Sequence, residues 1–235
     1  MSEDRHTPGT HRTITAEEVE ALMASRAERD GAGRAAKANQ SAVWLFPDHD
    51  PPLVVKAPAG QGLLRRLSRR LIRREHRLYR RLDGAPGLPR CYGLFRGEWL
   101  VLEHHPGAKP RGSDLRSPGG VADAPAALAD LRTAIAAMHR RGLAHTDLKR
   151  QANLIVRPDG HLIVIDLGAA ATRRPGTRGS PLWRWAAQQD WNAWARHGWD
   201  HPGAMPPAVA RLHRRTALER WARVGKRIKK WVKRL

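Results

Sequence analysis

The sequence predicts an α+β chain built as two lobes, a small sheet-plus-helix N-lobe followed by a reduced, mainly helical C-lobe. Three observations lead there. Within residues 42–103, two strand–turn–strand patterns flank a single long amphipathic helix. A Gly-, Pro- and Ser-rich stretch from Pro106 through Gly120 then interrupts regular structure. Beyond it, an Ala- and Leu-rich helical pattern leads into short strands whose loops carry Asp and Asn. At 235 residues the chain suits one domain, or two small lobes sharing a cleft, which excludes a large multidomain machine.

Residues 1–30 read as an N-terminal extension with a short helix, because Thr15-Ala-Glu-Glu18 is a capping-box pattern that opens a helix through about Arg29. The N-lobe, residues 31–105, begins after Gly31-Ala-Gly33. The runs Ala42–Phe46 and Leu53–Lys56, joined by Pro47-Asp-His-Asp50-Pro51-Pro52, predict a hairpin. A helix follows from Leu63 to Leu82, with Leu64, Leu67, Leu71, Leu78 and Leu82 as its apolar stripe. Position 75, on the same stripe, is a glutamate. A charge on a buried helix face is costly without a partner, so Glu75 calls for a cation, and Lys56 is the obvious candidate. The bland alternative places Glu75 at the stripe's edge among its arginine neighbours. Two more strands, in Leu88–Phe95 and Glu98–Glu103, flank the turn Arg96-Gly97.

His104-His105-Pro106-Gly107 opens the connection to the C-lobe, residues 106–218. A helix is expected over Ala126–Arg141, stopped by Gly142. Then come His145-Thr-Asp147-Leu-Lys149-Arg-Gln-Ala-Asn153-Leu-Ile-Val156, Pro158-Asp-Gly160 and Leu162-Ile-Val-Ile-Asp166-Leu-Gly168: a loop, a hairpin and a second loop. Asp147, Asn153 and Asp166 together supply hard oxygen ligands and a proton acceptor, the groups that Mg²⁺-assisted phosphoryl transfer takes from a protein.

In these residues the chain resembles the protein-kinase-like fold family. Val55-Lys56 at a strand end looks like the family's phosphate-anchoring lysine, and Glu75 like its ion-pair partner. His145-Thr-Asp147-Leu-Lys149 looks like the catalytic loop. The resemblance implies that His145 shapes the loop, Asp147 accepts the substrate hydroxyl's proton and Lys149 steadies the transferring phosphate. Asn153, and Asp166 in Asp-Leu-Gly, match the two metal-binding positions. The segment Leu102 to His105, with Glu103 and His105, is expected as the hinge that meets adenine. ATP and Mg²⁺ are thus the implied ligands. Asp190, in Gln188-Gln-Asp190-Trp191, matches the aspartate that braces the catalytic loop from below, although a solvated helix-start aspartate explains it equally well.

The departures carry information too. No Gly-x-Gly-x-x-Gly precedes Val43, where Ala36-Lys-Ala-Asn-Gln-Ser41 stands instead, and Gly31 and Gly33 come too early to clamp phosphates. The loop between Asp147 and Asn153 is one residue longer than in typical protein kinases. It is similar there to small bacterial proteins near the RIO-type and lipopolysaccharide-core kinases. Only 67 residues follow Gly168, too few for a full peptide-holding helical platform. The expected function is an atypical serine/threonine protein kinase. A lipopolysaccharide-core sugar or glycolipid kinase at the membrane surface, and a nucleotide-binding pseudokinase scaffold, are the alternatives.

Composition sets the surroundings. The 43 Lys and Arg against 22 Asp and Glu leave a formal charge of +21, which favours anionic partners, although only eight of the basic residues are Lys and an Arg-, Ala- and Gly-rich chain also reflects nucleotide composition. Nine arginines between Arg65 and Arg81 give the long helix a positive outer face. Residues 219–235 form a basic amphipathic pattern with Trp221, Val224, Ile228, Trp231 and Leu235 on one face. That pattern suits peripheral contact with an anionic membrane or packing on the C-lobe; seven of the nine tryptophans, between Trp183 and Trp231, suit an interfacial belt or a compact core. Nucleic acid ranks below the membrane, for want of a reading motif. Twelve histidines show no zinc-like spacing, and Cys91 reads as a packed side chain. One cysteine, no apolar leader at Met1–His6 and no run of about 18 apolar residues predict a cytoplasmic chain, peripheral on the inner face of the membrane if it meets one.

Overall fold

The computed structural model describes residues 12–30, 41–112, 114–117, 121–174 and 176–213. Residues 36–40 of the stretch that stands in place of a glycine motif, Gly31 and Gly33, Pro118 to Gly120 and the helix expected over 219–235 lie outside them. The chain is mixed α and β with a small antiparallel sheet, and it divides into two compact units, 1–83 with 89–104, and 84–88 with 105–235.

In the first unit, α1 (Ala16–Asp30) precedes β1 (Ser41–Phe46), β2 (Leu53–Pro58), α2 (Gly62–Arg81), β3 (Cys91–Phe95) and β4 (Trp99–Glu103). The four strands pair antiparallel in the order β1-β2-β4-β3. The expected hairpin is present, with Val43 opposite Lys56 and Phe46 opposite Leu53. Period-two alternation divides the sheet's faces. Leu53, Val55 and Val101, all fully buried, join Ile14 and Val19 in one cluster against which Leu22 and Met23 of α1 pack. Burying each such side chain contributes about 1.5–3 kcal/mol.

Helix α1, expected in an N-terminal extension, is therefore built into this core. Its first turn is the expected capping box: Glu18 N donates to Thr15 Oγ1 at 3.2 Å and Thr15 N to Glu18 Oε2 at 3.4 Å. Glu18 also bonds His49 Nε2 in the β1–β2 turn at 2.9 Å, and Glu20 pairs with Arg96 in the β3–β4 turn.

Helix α2 departs from its expected stripe. Its buried residues are Ser68, Ile72, Glu75, Leu78 and Tyr79, and Leu82 just beyond its end is buried too, whereas Leu64 and Leu67 are exposed. The cause is at the helix start. Every residue from Gln61 to Leu67 is exposed, so the first turns run beyond the core that the stripe would otherwise enter. Arg65 pairs with Glu98 at 2.9 Å, and Arg73 donates to Gly97 O at 2.9 Å, fixing α2 to the β3–β4 turn instead.

The second unit contains α3 (Ala126–Arg140), β5 (Leu143–Ala144), β6 (Leu154–Val156), β7 (Leu162–Val164), β8 (Ala171–Thr172), α4 (Pro181–Gly198) and α5 (Pro207–Leu212). Strand β5 pairs with β8, and β6 with β7, both antiparallel. Leu128, Leu131, Ala134, Ile135 and Met138 form the fully buried face of α3. Gly87 packs on it. At φ +73°, a Cβ there would sit 2.8 Å from that of Ala134, so only glycine fits. Trp194 Nε1 donates to Leu128 O at 3.0 Å, joining α4 to α3. Trp183, Trp194 and Trp199 are buried, so the described tryptophans of this region mainly build core, with Trp185 exposed. Among the described residues, no helix is long and apolar enough to cross a membrane.

Candidate functional site

Two groups of the expected residues form, one in each unit. In the first, alternation along β2 sends Lys56 to the face opposite the buried Val55, and Glu75 occupies the buried face of α2. Lys56 Nζ donates to Glu75 Oε1 at 2.7 Å, with side-chain exposures of 13% and 8%. Glu75 is thus the lysine's partner and does not sit at a solvated edge. A pair withdrawn this far from water stabilises a fold little better than well-packed apolar residues would.

Glu103 closes β4, its N–H donating to Arg90 O at 2.8 Å and its carboxylate accepting from Arg90 N at 3.3 Å. Both groups are therefore turned to Arg90. His105 lies in the second unit, at the start of its longer segment.

In the second unit the loop that follows β5 is held by one buried carboxylate. Asp190, on the inner face of α4 and fully buried, accepts from His145 N through Oδ2 and from Thr146 N through Oδ1, both at 2.8 Å. His139 Nε2, at the end of α3, donates to Oδ2 as well, at 2.9 Å. Asp190 thus braces the loop from below, as the resemblance implies, rather than standing as a solvated helix-start residue. His139 lies edge-on to Trp183 and Trp191, with ring centroids 5.8 and 5.6 Å away. The sequence reading did not single out His139 or these rings; its only signal was a histidine in the last turn of α3.

From that anchor the geometry runs to the chemistry. His145 is fully buried, and its Nε2 donates to Ile165 O at 3.0 Å, because a carbonyl can only accept. Ile165 N in turn donates to Asn153 O at 2.9 Å. The residue preceding Asp166 is therefore bonded on one side to His145 and on the other to Asn153, and the two loops are held as a unit. Thr146, at φ +72°, and Asp166, at φ +65°, adopt left-handed backbone that costs non-glycine residues about 1–3 kcal/mol each. Such strain persists where surrounding bonds over-determine it, and here it immediately precedes Asp147 and falls on Asp166 itself.

Asn153 is buried, and its Nδ2 donates to Asp147 O at 3.0 Å and lies 3.5 Å from Asp147 Oδ2. With the amide nitrogen committed there, Oδ1 remains the acceptor end of Asn153. Asp166 Oδ1 accepts from Gly168 N at 3.3 Å. A carboxamide oxygen and a carboxylate fit Mg²⁺, which takes few protein oxygens and completes its shell from water and phosphate. Among the described residues, no three His, Cys, Asp or Glu side chains converge into a metal cluster. Lys149 is exposed.

The same loop makes one local contact that the sequence did not announce. Arg150 folds back, its Nε 3.2 Å from Asp147 Oδ2, while remaining 71% exposed itself. No family model matches this chain, and no curated protein does. The bonds around Asp147, Asn153 and Asp166 therefore carry the functional interpretation on their own physical terms.

Proposed function

We propose that the chain is an ATP- and Mg²⁺-dependent phosphotransferase with a two-lobed, protein-kinase-like fold, and that its acceptor is a serine or threonine hydroxyl of a protein. One observation carries this: the Asp190 carboxylate accepts from two consecutive loop amides, and Asp147 follows them directly, beside Asn153. Preorganisation of that kind suits a reaction in which positioning and electrostatics do nearly all the work. The buried Lys56–Glu75 pair supports it independently, since it presets a cation for phosphate oxygens.

Asp147 orients the acceptor hydroxyl and takes its proton as the oxygen forms its bond to the γ-phosphorus and the bond to the β-phosphate oxygen breaks, releasing ADP. Lys56 holds nucleotide phosphates, and Lys149 meets the charge on the transferring group. Asn153 and Asp166 would hold Mg²⁺, which supplies charge neutralisation along the phosphates when bound. His145 acts as a positioning residue through its bond to Ile165 O.

Nucleotide-dependent thermal stabilisation tests this. Ligand at about 100 times its Kd stabilises by about 2.7 kcal/mol. Mg-ATP should raise the melting temperature of the parent chain, ATP with EDTA should raise it less, and Lys56→Met should abolish the shift. No shift at millimolar Mg-ATP would remove the proposal.

A further inference from the structure

The start of α2 carries a surface that phosphotransfer does not use. Leu63, Leu64 and Leu67 are 80%, 70% and 52% exposed. Single exposed leucines are ordinary, but these three lie at one- and three- to four-residue steps and form one contiguous patch. The setting is strongly positive. Helix α2 bears nine arginines, and its one acidic residue, Glu75, is committed to Lys56. Arg66 and Arg70, both exposed, follow Leu63 and Leu67 by three residues and border the patch. No acidic residue occupies the helix's first turn, where the backbone dipole adds further positive potential.

This charge decides what covers the leucines. Residues 214–235 hold ten Lys and Arg against one Glu, and residues 31–40 hold two against none, so neither segment complements the patch. Nucleic acid would answer the arginines but not the leucines, which offer bases no aromatic face to stack on. An anionic bilayer answers both, with headgroup phosphates for the guanidinium groups and an acyl boundary for the leucines.

We propose that the first two turns of α2 dock on an anionic phospholipid surface, with Leu63, Leu64 and Leu67 entering the headgroup–acyl boundary and Arg66 and Arg70 meeting lipid phosphates. This docking is independent of the phosphotransferase activity. It is also distinct from any contact made by residues 219–235, and the experiment separates the two.

The full chain is sedimented with vesicles of phosphatidylcholine, with and without phosphatidylglycerol. Binding is expected only to the anionic vesicles. The variant Leu63→Ser/Leu64→Ser/Leu67→Ser should partition about tenfold more weakly. Arg66→Glu/Arg70→Glu should weaken binding and flatten its salt dependence. Neither should lower the melting temperature, since all five side chains are exposed. Leu63→Cys carrying an environment-sensitive dye, in a Cys91→Ala background, should shift to the blue with anionic vesicles. Unchanged sedimentation of the triple-serine variant would assign attachment to another segment and overturn the proposal. So would a dye that responds to RNA or to an acidic polypeptide but not to vesicles, or a parent chain that binds no anionic vesicle.

Discussion

Glu75→Gln keeps the shape of the side chain and removes only its charge, which makes it the sharpest probe of the pair on β2 and α2. Lys56 Nζ lies 2.7 Å from the carboxylate, and the two side chains are only 13% and 8% exposed, so the substitution leaves an ammonium in a largely dry site beside a neutral amide. Breaking a buried pair from one side costs about 3 kcal/mol at the lower end of the usual range, appropriate to a lysine that retains some solvent. For a chain of this size that is about 6–12 °C in melting temperature. The double substitution Lys56→Met/Glu75→Leu removes both charges and should return to within about 1 kcal/mol of the parent. Urea titration of parent, both single variants and the double variant closes the cycle. The double variant should fold normally yet show no stabilisation by Mg-ATP. Single variants costing less than about 0.5 kcal/mol, the level of an exposed pair, would refute the burial argument. A double variant that still responds to Mg-ATP would refute the lysine's role.

Asp190→Ala strands three donors in a fully buried site, His145 N, Thr146 N and His139 Nε2, and should cost at least about 3 kcal/mol in denaturant titration. A cost below 1 kcal/mol would mean that the loop is not hung on that carboxylate. Burial pushes the Cys91 thiol up to about 11, so the chain's one cysteine should react slowly with a thiol reagent at pH 8 and quickly once urea unfolds the chain. Burial also holds His197 below the ordinary imidazole range, its Nε2 donating to Leu148 O at 2.8 Å. The unfolded chain therefore takes up this proton first as pH falls. The contribution to stability is complete above about 6.5 and is lost as pH drops from there towards the lowered folded value. His197→Gln, which keeps a donor for Leu148 O, should flatten that part of the stability profile, and an unchanged profile would assign it elsewhere.

Much of this structure was legible because its signals are local. The capping box at Thr15 and Glu18, the β1–β2 hairpin around Pro47 to Pro52 and the Gly142 stop of α3 are each written within a few residues. The Lys56–Glu75 pair spans nineteen residues, yet a lone acid on a leucine stripe demanded a partner. What escaped depends on which surface faces which. Val19, Leu22 and Met23 announce an amphipathic helix but not the sheet it covers. Leu64 and Leu67 satisfy helical periodicity, and nothing in the pattern says that the core ends before it reaches them. Strands β5 and β8 have two residues each, too few to show alternation. Arg150 is one arginine among many until the loop brings its Nε to Asp147.

The central claim is the transfer of phosphate. Labelled γ-phosphate from Mg-ATP, supplied to cell extract separated into protein, glycolipid and nucleic acid, should enter the protein fraction as phosphoserine or phosphothreonine, and both Asp147→Ala and Asp166→Ala should lower incorporation to background. Label in glycolipid alone would keep the phosphotransferase and contradict the protein acceptor. Equal label with parent and Asp166→Ala chains, or none with a parent chain that binds ATP, would contradict catalysis at this site.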